Sequence, residues 1–190
     1  LDYKPHSLAQ GLARKKTFTI AAVVPFFTNY FFIELFKNIQ TTLTESGYDL
    51  ILYNVDRKYH WEHTLDRVLT DRRADGVLIV SIGLNEEYAD KFLNSKIPVV
   101  VVDNMSYKID SVAVSNRLAA KQATEYLIQL GHERVGMING HLSSYPALLR
   151  MQGYKQALIE NDLEFDDEIL IICDATVGEH GFNEAAGYKA

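Results

Sequence analysis

The chain has 190 residues, 47% of them hydrophobic, which is enough for one large or two small globular domains. Its formal net charge of −6 excludes a protein that binds nucleic acid over its whole surface through bulk electrostatics. No apolar run has the length of a membrane span and no signal-peptide pattern opens the sequence, so we expect no membrane partner and a cytoplasmic location. The single cysteine, Cys173, excludes a disulfide within the chain and follows two isoleucines, which is typical of a buried strand thiol.

The first sixteen residues are basic, whereas the rest of the chain is acidic. Four cationic side chains stand against Asp2 in residues 1–16, so this segment carries +3 and the remaining 174 residues carry −9. The four are Lys4, Arg14, Lys15 and Lys16. A basic arm on an acidic body indicates that the arm contacts phosphate.

Within this arm, Ser7 is placed to cap a short helix in which Leu8 and Leu12 share one face. The segment is too short to hold a helix alone in water, and Gly11 interrupts it. Two interpretations stay open. The arm is either an amphipathic lead-in that packs on the following domain or a segment that folds only when it binds a partner.

A regular alternation of strands and helices follows the arm. It opens with an apolar run, Phe18–Val24, which stops at Pro25 and predicts a strand buried on both faces of a parallel sheet. The pattern then predicts helices over 28–46, 60–71 and 85–94, and strands over 48–53, 76–80, 99–102 and 111–114. This βαβα order indicates an α/β fold, a doubly wound parallel sheet with helices on both faces.

A second and shorter round begins at residue 116. We predict helices over 116–130, 144–161 and 178–190, and strands over 134–138 and 168–172. Two strands are few for a separate doubly wound domain. The sequence therefore predicts a first subdomain over 17–114 and a second over 115–190, of which the second is incomplete in this chain.

Polar and aromatic side chains follow the predicted strands, where the ligands of open α/β sheets bind. In the first round these are Phe26, Phe27, Asn29, Tyr30, Asn54, Asp56, Ser81, Asp103 and Asn104, and in the second they are His141, Ser143, Tyr145 and Arg150. Aromatic faces beside amide, carboxylate and guanidinium groups suit a polyhydroxylated ligand or a heterocycle.

Several candidates also have a simpler structural interpretation. Asp103 fits equally well as a cap for the following turn, and Arg150 fits a solvated helix position. Phe31, Phe32 and Phe36 are candidates for the core or for a subunit interface, and we favour that interpretation for Phe36.

Motifs of catalysis are absent from the sequence. It contains no G-x-G-x-x-G after a strand, no P-loop and no nucleophile elbow. His60 and His63 have a spacing that would suit a metal, but no further ligand lies nearby in the sequence and a solvated helix face is favoured. We expect no cofactor, no metal and no enzymatic activity, with Asp103 and His141 as the best titrating pair should the chain be an enzyme.

The order and spacing of several segments resemble those of the lactose/galactose-repressor (LacI/GalR) family of bacterial transcription regulators. The matching segments run through nearly the whole chain and are SLAQGLARKKTFTIAAVVP, NYFF, ESGYDL, DRRADGVLIVS, IPVVVVDN, SVAVSN, LIQLGHERVGMING and LLRMQGYKQAL. Each segment is unspecific by itself, whereas their order along the chain is specific.

The resemblance implies a periplasmic-binding-protein-like core of two Rossmann-like subdomains that binds a small effector in the cleft between them. It also implies a DNA-reading helix-turn-helix upstream of Leu1, and we expect that such sequence precedes this chain. Residues 1–16 then resemble the family's hinge helix, which orders on operator DNA. In that match Leu12 takes the position of the minor-groove wedge, with Ala9 and Gln10 beside it.

The resemblance also implies roles for individual residues. Arg150 falls on the arginine that clamps the effector from the second subdomain, Tyr30 and Phe31 fall in the segment that contacts it from the first, and Asp103 matches a cleft-side aspartate. Together with the residues after the strands, the predicted effector site comprises Phe26, Asn29, Tyr30, Phe31, Asp103, Tyr145 and Arg150. Phe26, Tyr30 and Ser115 depart from the family pattern and make the predicted pocket more aromatic.

The sequence thus predicts a ligand-responsive transcriptional regulator, a repressor by preference, that acts as a homodimer on operator DNA and takes a sugar as effector. Two alternatives stay open. One is a periplasmic-type sugar-binding protein of a transporter, against which the basic arm argues. The other is an α/β enzyme that acts on a sugar or nucleotide.

Overall fold

The computed structural model describes residues 16–25, 30–55, 61–174 and 181–190. The chain forms two compact units, of which unit 1 ends at Ala113 and unit 2 begins at Val114. None of the helices in the described part of the chain is both long and apolar enough to cross a membrane.

Unit 1 alternates strands and helices, as the sequence predicts. Its elements are β1 (Thr19–Val24), α1 (Tyr30–Glu45), β2 (Asp49–Asn54), α2 (Trp61–Asp71), β3 (Gly76–Val80), α3 (Glu86–Ser95), β4 (Val99–Val102) and β5 (Ser111–Val112). All neighbouring strands pair in parallel, in the order β2-β1-β3-β4-β5. The predicted parallel sheet is therefore confirmed, and its topological switch lies between β1 and β3.

Strand β1 lies inside this sheet, between β2 and β3, and is buried on both faces. Side chains alternate between the two faces of a strand, so Ala21 and Val23 share one face. There they pack in a core with Leu65 of α2 and Phe92 of α3. Ala22 and Val24 point to the opposite face, whose core is formed with α1. Helices thus cover both faces, as predicted, and Phe36 of α1 belongs to this second core rather than to a ligand site.

The segment before β1 is fixed by a single carboxylate. The Asp75 side chain accepts hydrogen bonds from the backbone nitrogen and hydroxyl of Thr17, at 2.7 and 2.8 Å, and from the backbone nitrogen of Phe18 at 2.9 Å. Phe18 has a left-handed φ of 52° and its ring packs on Tyr48. Burial opposes the charged form of Asp75, but these hydrogen bonds and the nearby Lys16 together lower its pKa.

The described part of unit 2 has fewer strands than that of unit 1 and is built around a pair of helices. Its elements are α4 (Asn116–Gln129), β6 (Met137–Asn139), α5 (Tyr145–Glu160), a 3₁₀ turn (Asp167–Ile169), β7 (Leu170–Ile172) and α6 (Glu184–Lys189). Strands β6 and β7 pair in parallel. In the core of this unit, Tyr154 donates from its hydroxyl to the carbonyl of Val135 at 2.7 Å and packs with Leu158.

Helices α4 and α5 approach each other closely because Gly153 has no side chain. A Cβ at this position would collide with the backbone carbonyl oxygen of Arg117 and lie 3.0 Å from the backbone nitrogen of Lys121. Polar side chains line the same seam, where the Lys121 ammonium contacts the Glu160 carboxylate at 2.6 Å and Arg117 donates to Gln156 at 3.0 Å.

Several predicted boundaries in unit 2 are wrong. The final helix, predicted over 178–190, covers only Glu184–Lys189, because Gly181 has a left-handed φ of 77° and the Asn183 side chain caps the helix by accepting from the Ala186 nitrogen. Residues 178–180 lie outside the described residues. Likewise, part of the strand predicted over 168–172 is the 3₁₀ turn, capped by Asp166. Cys173 is buried as predicted, but directly after β7.

Candidate functional site

In unit 1 the ends of β3 and β4 carry the polar groups that the structure brings together. The Ser81 backbone nitrogen donates to the carbonyl of Val102, and the Asp103 nitrogen donates to the carbonyl of Val112, both at 2.8 Å. These two bonds extend the sheet ladder by one residue on each strand. The Ser81 hydroxyl then donates to Oδ2 of Asp103 at 2.6 Å, a short distance typical of a hydrogen bond to a charged acceptor.

Both residues adopt a backbone conformation that side chains disfavour. Ser81 has a φ of 53° and Asp103 a φ of 57°. For a residue with a Cβ this left-handed region costs on the order of 1 kcal/mol, and such residues concentrate at binding sites. Two of them hydrogen-bonded to each other at adjacent strand ends therefore mark this edge of unit 1 as a candidate site.

The alternative role of Asp103 as a turn cap is taken by its neighbour. In the turn that follows β4, Oδ1 of Asn104 accepts from the Met105 nitrogen at 2.8 Å. Within the described part of the chain, the Asp103 carboxylate accepts only from Ser81. Its second oxygen, Oδ1, has no hydrogen-bond partner among those residues.

The remaining site residues predicted in unit 1 lie around the start of α1. Tyr30 and Phe31 are 78% and 48% exposed, so neither is a core residue. The ring of Phe31 contacts that of buried Phe32 edge to face, with 5.2 Å between centroids. Phe26 and Asn29 lie outside the described residues, as do Ala9, Gln10 and Leu12 of the predicted hinge, and these assignments stay predictions.

In unit 2 the structure fixes the predicted Arg150 by two contacts. Its Nε donates to Oδ1 of Asn116 at 2.8 Å, and its guanidinium carbon lies 5.5 Å from the centroid of the Phe182 ring. Asn116 is 6% exposed and is itself held through a hydrogen bond to the carbonyl of Val114 at 3.3 Å. Arg150 is therefore partly buried and oriented rather than freely solvated, contrary to the solvated alternative.

The Phe182 ring reaches this position because two glycines make room for its segment. A Cβ on Gly140, directly after β6, would collide with the Phe182 ring, and a Cβ on Gly181 would collide with the Cβ of Cys173. The backbone that carries Phe182 is thus packed against the ends of β6 and β7. From there the ring contacts the guanidinium of Arg150 in a cation–π geometry.

The loop after β6 carries the other polar candidates of unit 2. The backbone nitrogen of Ser143 donates to Nδ1 of His141 at 3.2 Å, so this ring nitrogen acts as an acceptor. Tyr145 opens α5 and is 43% exposed. Asn139, at the end of β6, donates to the carbonyl of Ala147 at 2.8 Å and ties the strand to α5.

Two residues of this arrangement escaped the sequence analysis. Asn116 entered the sequence analysis only as the first residue of a predicted helix, although a polar side chain after a strand and at a helix start was a usable signal. Phe182 gave no sequence signal for a role at the site, because it fell inside the helix predicted over 178–190. His63 is exposed on α2, and the described residues contain no cluster of three or more acidic, His or Cys side chains that would hold a metal.

The fold defines a class of protein, a parallel α/β core that carries candidate ligand-binding groups at the ends of its strands. Residues 17–183 match the family described as periplasmic binding proteins and sugar binding domain of LacI family, and the chain belongs to this family. The resemblance deduced from the sequence is thereby confirmed.

Three proteins to which this chain is similar are transcription regulators. Catabolite control protein A of Priestia megaterium is 32% identical in an alignment of length 180 that covers 93% of this chain and 54% of that protein. The HTH-type transcriptional repressor PurR of Vibrio atlanticus is 32% identical in an alignment of length 184 that covers 93% of this chain and 55% of that protein. The crystal structure of the transcription regulator CcpA of Lactococcus lactis superposes with a TM-score of 0.66 at 29% identity, over 81% of this chain and 58% of that one. The chain spans about half the length of the curated relatives it matches.

Proposed function

We propose that this chain is the effector-binding core of a ligand-responsive transcriptional regulator, a repressor by preference, and that its effector is a small neutral molecule, a sugar in the first instance. The family contains sugar-binding domains of such regulators. The similar proteins are a catabolite control protein and a repressor of the HTH type.

The observation that carries the binding role is the fixed guanidinium of Arg150. A solvated arginine needs no buried partner, whereas Arg150 is oriented through Nε by the buried Asn116 and by the Phe182 ring. Its terminal amino groups make no hydrogen bond with the described residues. They are thus available to donate to the oxygens of a ligand. A guanidinium group that is already oriented loses less conformational entropy on binding than a mobile one.

Partners and location follow from the same proposal. A regulator of this kind acts on operator DNA as a homodimer in the cytoplasm, and we assign residues 1–16 as the hinge. Residues 17–114 and 115–190 would be the two subdomains that bind the effector. Tyr30, Phe31 and Tyr145 are offered as further ligand contacts, consistent with their exposed rings.

The transporter-protein alternative shares the fold, since periplasmic binding proteins belong to the same family. The similarity to a catabolite control protein and to a transcriptional repressor favours a regulator over a transporter protein. The native gene separates the two, because a regulator carries a DNA-binding segment upstream and a transporter protein carries a secretion signal. In a protein that includes the upstream segment, Leu12→Ala should weaken operator binding and leave effector affinity unchanged, since an apolar wedge acts only in the minor groove.

Thermal shift with a panel of neutral sugars (D-glucose, D-galactose, D-ribose, D-fructose), their phosphate esters and the nucleobases tests the binding role. A ligand that binds the folded chain raises the melting temperature, and calorimetry then gives its affinity. Arg150→Ala should weaken that affinity by about 1.5–3 kcal/mol, the cost of a lost charge-assisted hydrogen bond.

Arg73→Ala is the matched control, because Arg73 is an exposed arginine of unit 1 whose ion pair with Asp71 spans 3.7 Å. It should bind the ligand as the parent chain does. Equal affinity for the Arg150 variant would remove this arginine from the site, and a panel without any binder would contradict the proposed function itself.

A further inference from the structure

The hydrogen bond between Ser81 and Asp103 determines what this pair offers to a ligand. A serine hydroxyl has one proton to donate, and here that proton is committed to Oδ2 of Asp103 at 2.6 Å. An ionised carboxylate has no proton at all. Toward any incoming molecule the pair therefore presents only acceptors, which are the lone pairs of the serine oxygen and Oδ1 of Asp103.

The backbone at these two positions does not depend on either side chain for its own hydrogen bonds. Ser81 and Asp103 both lie in the left-handed region, where glycine would fit without strain. Both backbone nitrogens are already satisfied by the ladder, through the carbonyls of Val102 and Val112. Among the described non-glycine residues with a left-handed φ, Ser81 and Asp103 are the two whose side chains hydrogen-bond to each other, and they do so at adjacent strand ends, where the ligands of open α/β sheets bind.

We propose that Ser81 is a positioning residue that holds the Asp103 carboxylate in place to accept hydrogen bonds from the effector, and that the pair selects a neutral, hydroxyl-bearing ligand. This inference rests on the proposed function and specifies the chemistry of its ligand in unit 1. A sugar supplies the O–H donors that two acceptors require. A phosphate ester brings acceptors and negative charge against a carboxylate, and is rejected.

The test compares variants that separate the hydroxyl from the backbone strain. Ser81→Ala loses the hydroxyl and keeps the strain, whereas Ser81→Gly loses the hydroxyl and relieves it. Both variants should bind the best neutral sugar of the panel about tenfold more weakly, because the carboxylate is no longer held. Ser81→Ala should also melt a few degrees lower than the parent chain, because it loses the hydrogen bond to Asp103. In Ser81→Gly the relief of strain should offset that loss, so the two variants should share the weaker affinity and differ in melting temperature.

Lys96→Gly is the matched control for strain relief. Lys96 is an exposed residue with a left-handed φ of 61° at the end of α3. Its replacement should raise the melting temperature and leave the affinity for the sugar unchanged.

A double-variant cycle shows whether Ser81 acts through Asp103. Asp103→Asn should weaken the affinity for the sugar. Adding Ser81→Gly to that variant should lower the affinity by less than a further factor of two. In the parent chain the phosphate ester of the same sugar should bind at least tenfold more weakly than the sugar. The Asp103→Asn variant should narrow that preference, since the repelling charge is gone.

Each outcome of this experiment supports or overturns the inference. Unchanged affinity in Ser81→Gly, or additive losses in the double variant, would overturn the positioning role while the Arg150→Ala result keeps the proposed function intact. A best ligand that is a phosphate ester or a nucleobase would overturn the ligand class. Absence of any binder for the parent chain would overturn the inference together with the proposed function.

Discussion

Unit 1 and unit 2 bury their cores by different means. In unit 1 a five-stranded sheet lies between helices, and its interior strand β1 is buried on both faces. In unit 2 a two-stranded sheet accompanies two long helices that meet at Gly153. Stability in unit 1 should therefore depend on the volume of large apolar side chains, and stability in unit 2 on how closely two backbones approach.

The sequence supplies one built-in probe for each unit. Its single tryptophan, Trp61, lies in unit 1 with its ring 5.3 Å from that of Tyr88. Its single cysteine, Cys173, is buried in unit 2. Tryptophan fluorescence during urea unfolding and the rate of thiol labelling thus report the two units separately.

The largest expected effect is in the core of unit 1. Phe92 of α3 is fully buried, at 0% exposure, so Phe92→Ala removes a large apolar side chain and leaves a cavity. We expect a loss of about 3–5 kcal/mol in the free energy of unfolding, measured by Trp61 fluorescence in urea. Leu93→Ala, on the same helix but 50% exposed, is the control and should cost far less.

A smaller loss is expected where the helices of unit 2 meet. Gly153→Ala adds a methyl group that collides with the Arg117 carbonyl, so α4 and α5 must separate. We expect a loss of about 2–3 kcal/mol and faster labelling of Cys173, because opening of unit 2 exposes the thiol.

Gly187→Ala in α6 provides the comparison, since a Cβ there meets no atom within 4 Å. It should be neutral or slightly stabilising, because alanine favours a helix. A Gly153→Ala variant that behaves like Gly187→Ala would show that the close approach of the two helices is not what stabilises unit 2.

The smallest effect concerns Asp75, and it depends on pH. Folding lowers the pKa of this carboxyl, so its stabilisation is present above the unfolded pKa and is lost as the pH falls through the folded one. Asp75→Asn should therefore cost about 1 kcal/mol near pH 7. The difference from the parent chain should shrink once the pH drops below about 4, the pKa of an unfolded aspartate.

Asp49→Asn is the control for this measurement, because Asp49 is exposed at the start of β2. It should leave the urea midpoint nearly unchanged at both pH values. A gap between Asp75→Asn and the parent chain that is as large at pH 3 as at pH 7 would contradict the role of the ionised carboxylate.

The sequence predicted unit 1 better than unit 2 for a physical reason. Buried parallel strands such as Gly76–Val80 and Val99–Val102 are continuous apolar runs between turn residues, and both were predicted to the residue. The strand predicted over 134–138 is instead Met137–Asn139. Arg134, with which the predicted strand begins, instead forms an ion pair with Asp166 at 2.7 Å. These two residues are distant in the sequence, so no local pattern reveals their contact.

The same limit applies to the candidate site. Ser81, Asp103 and Arg150 could be found because each follows a recognisable strand or matches a family position. The hydrogen bond from Ser81 to Asp103 could not, since it depends on the register between β3 and β4. Phe182 could not either, because its position beside Arg150 depends on the missing side chain of Gly140.

The clamp of Asp75 on Thr17 and Phe18 gives the basic arm a defined mechanical attachment. Tension applied to residues 1–16 is received at the start of β1 and β3, in the middle of the sheet. Because β1 is hydrogen-bonded along its length to β2 and β3, a pull along the axis of this strand loads many bonds in shear at once rather than opening them one by one. A force in that direction is thus shared among β1, β2 and β3 instead of peeling away the first strand.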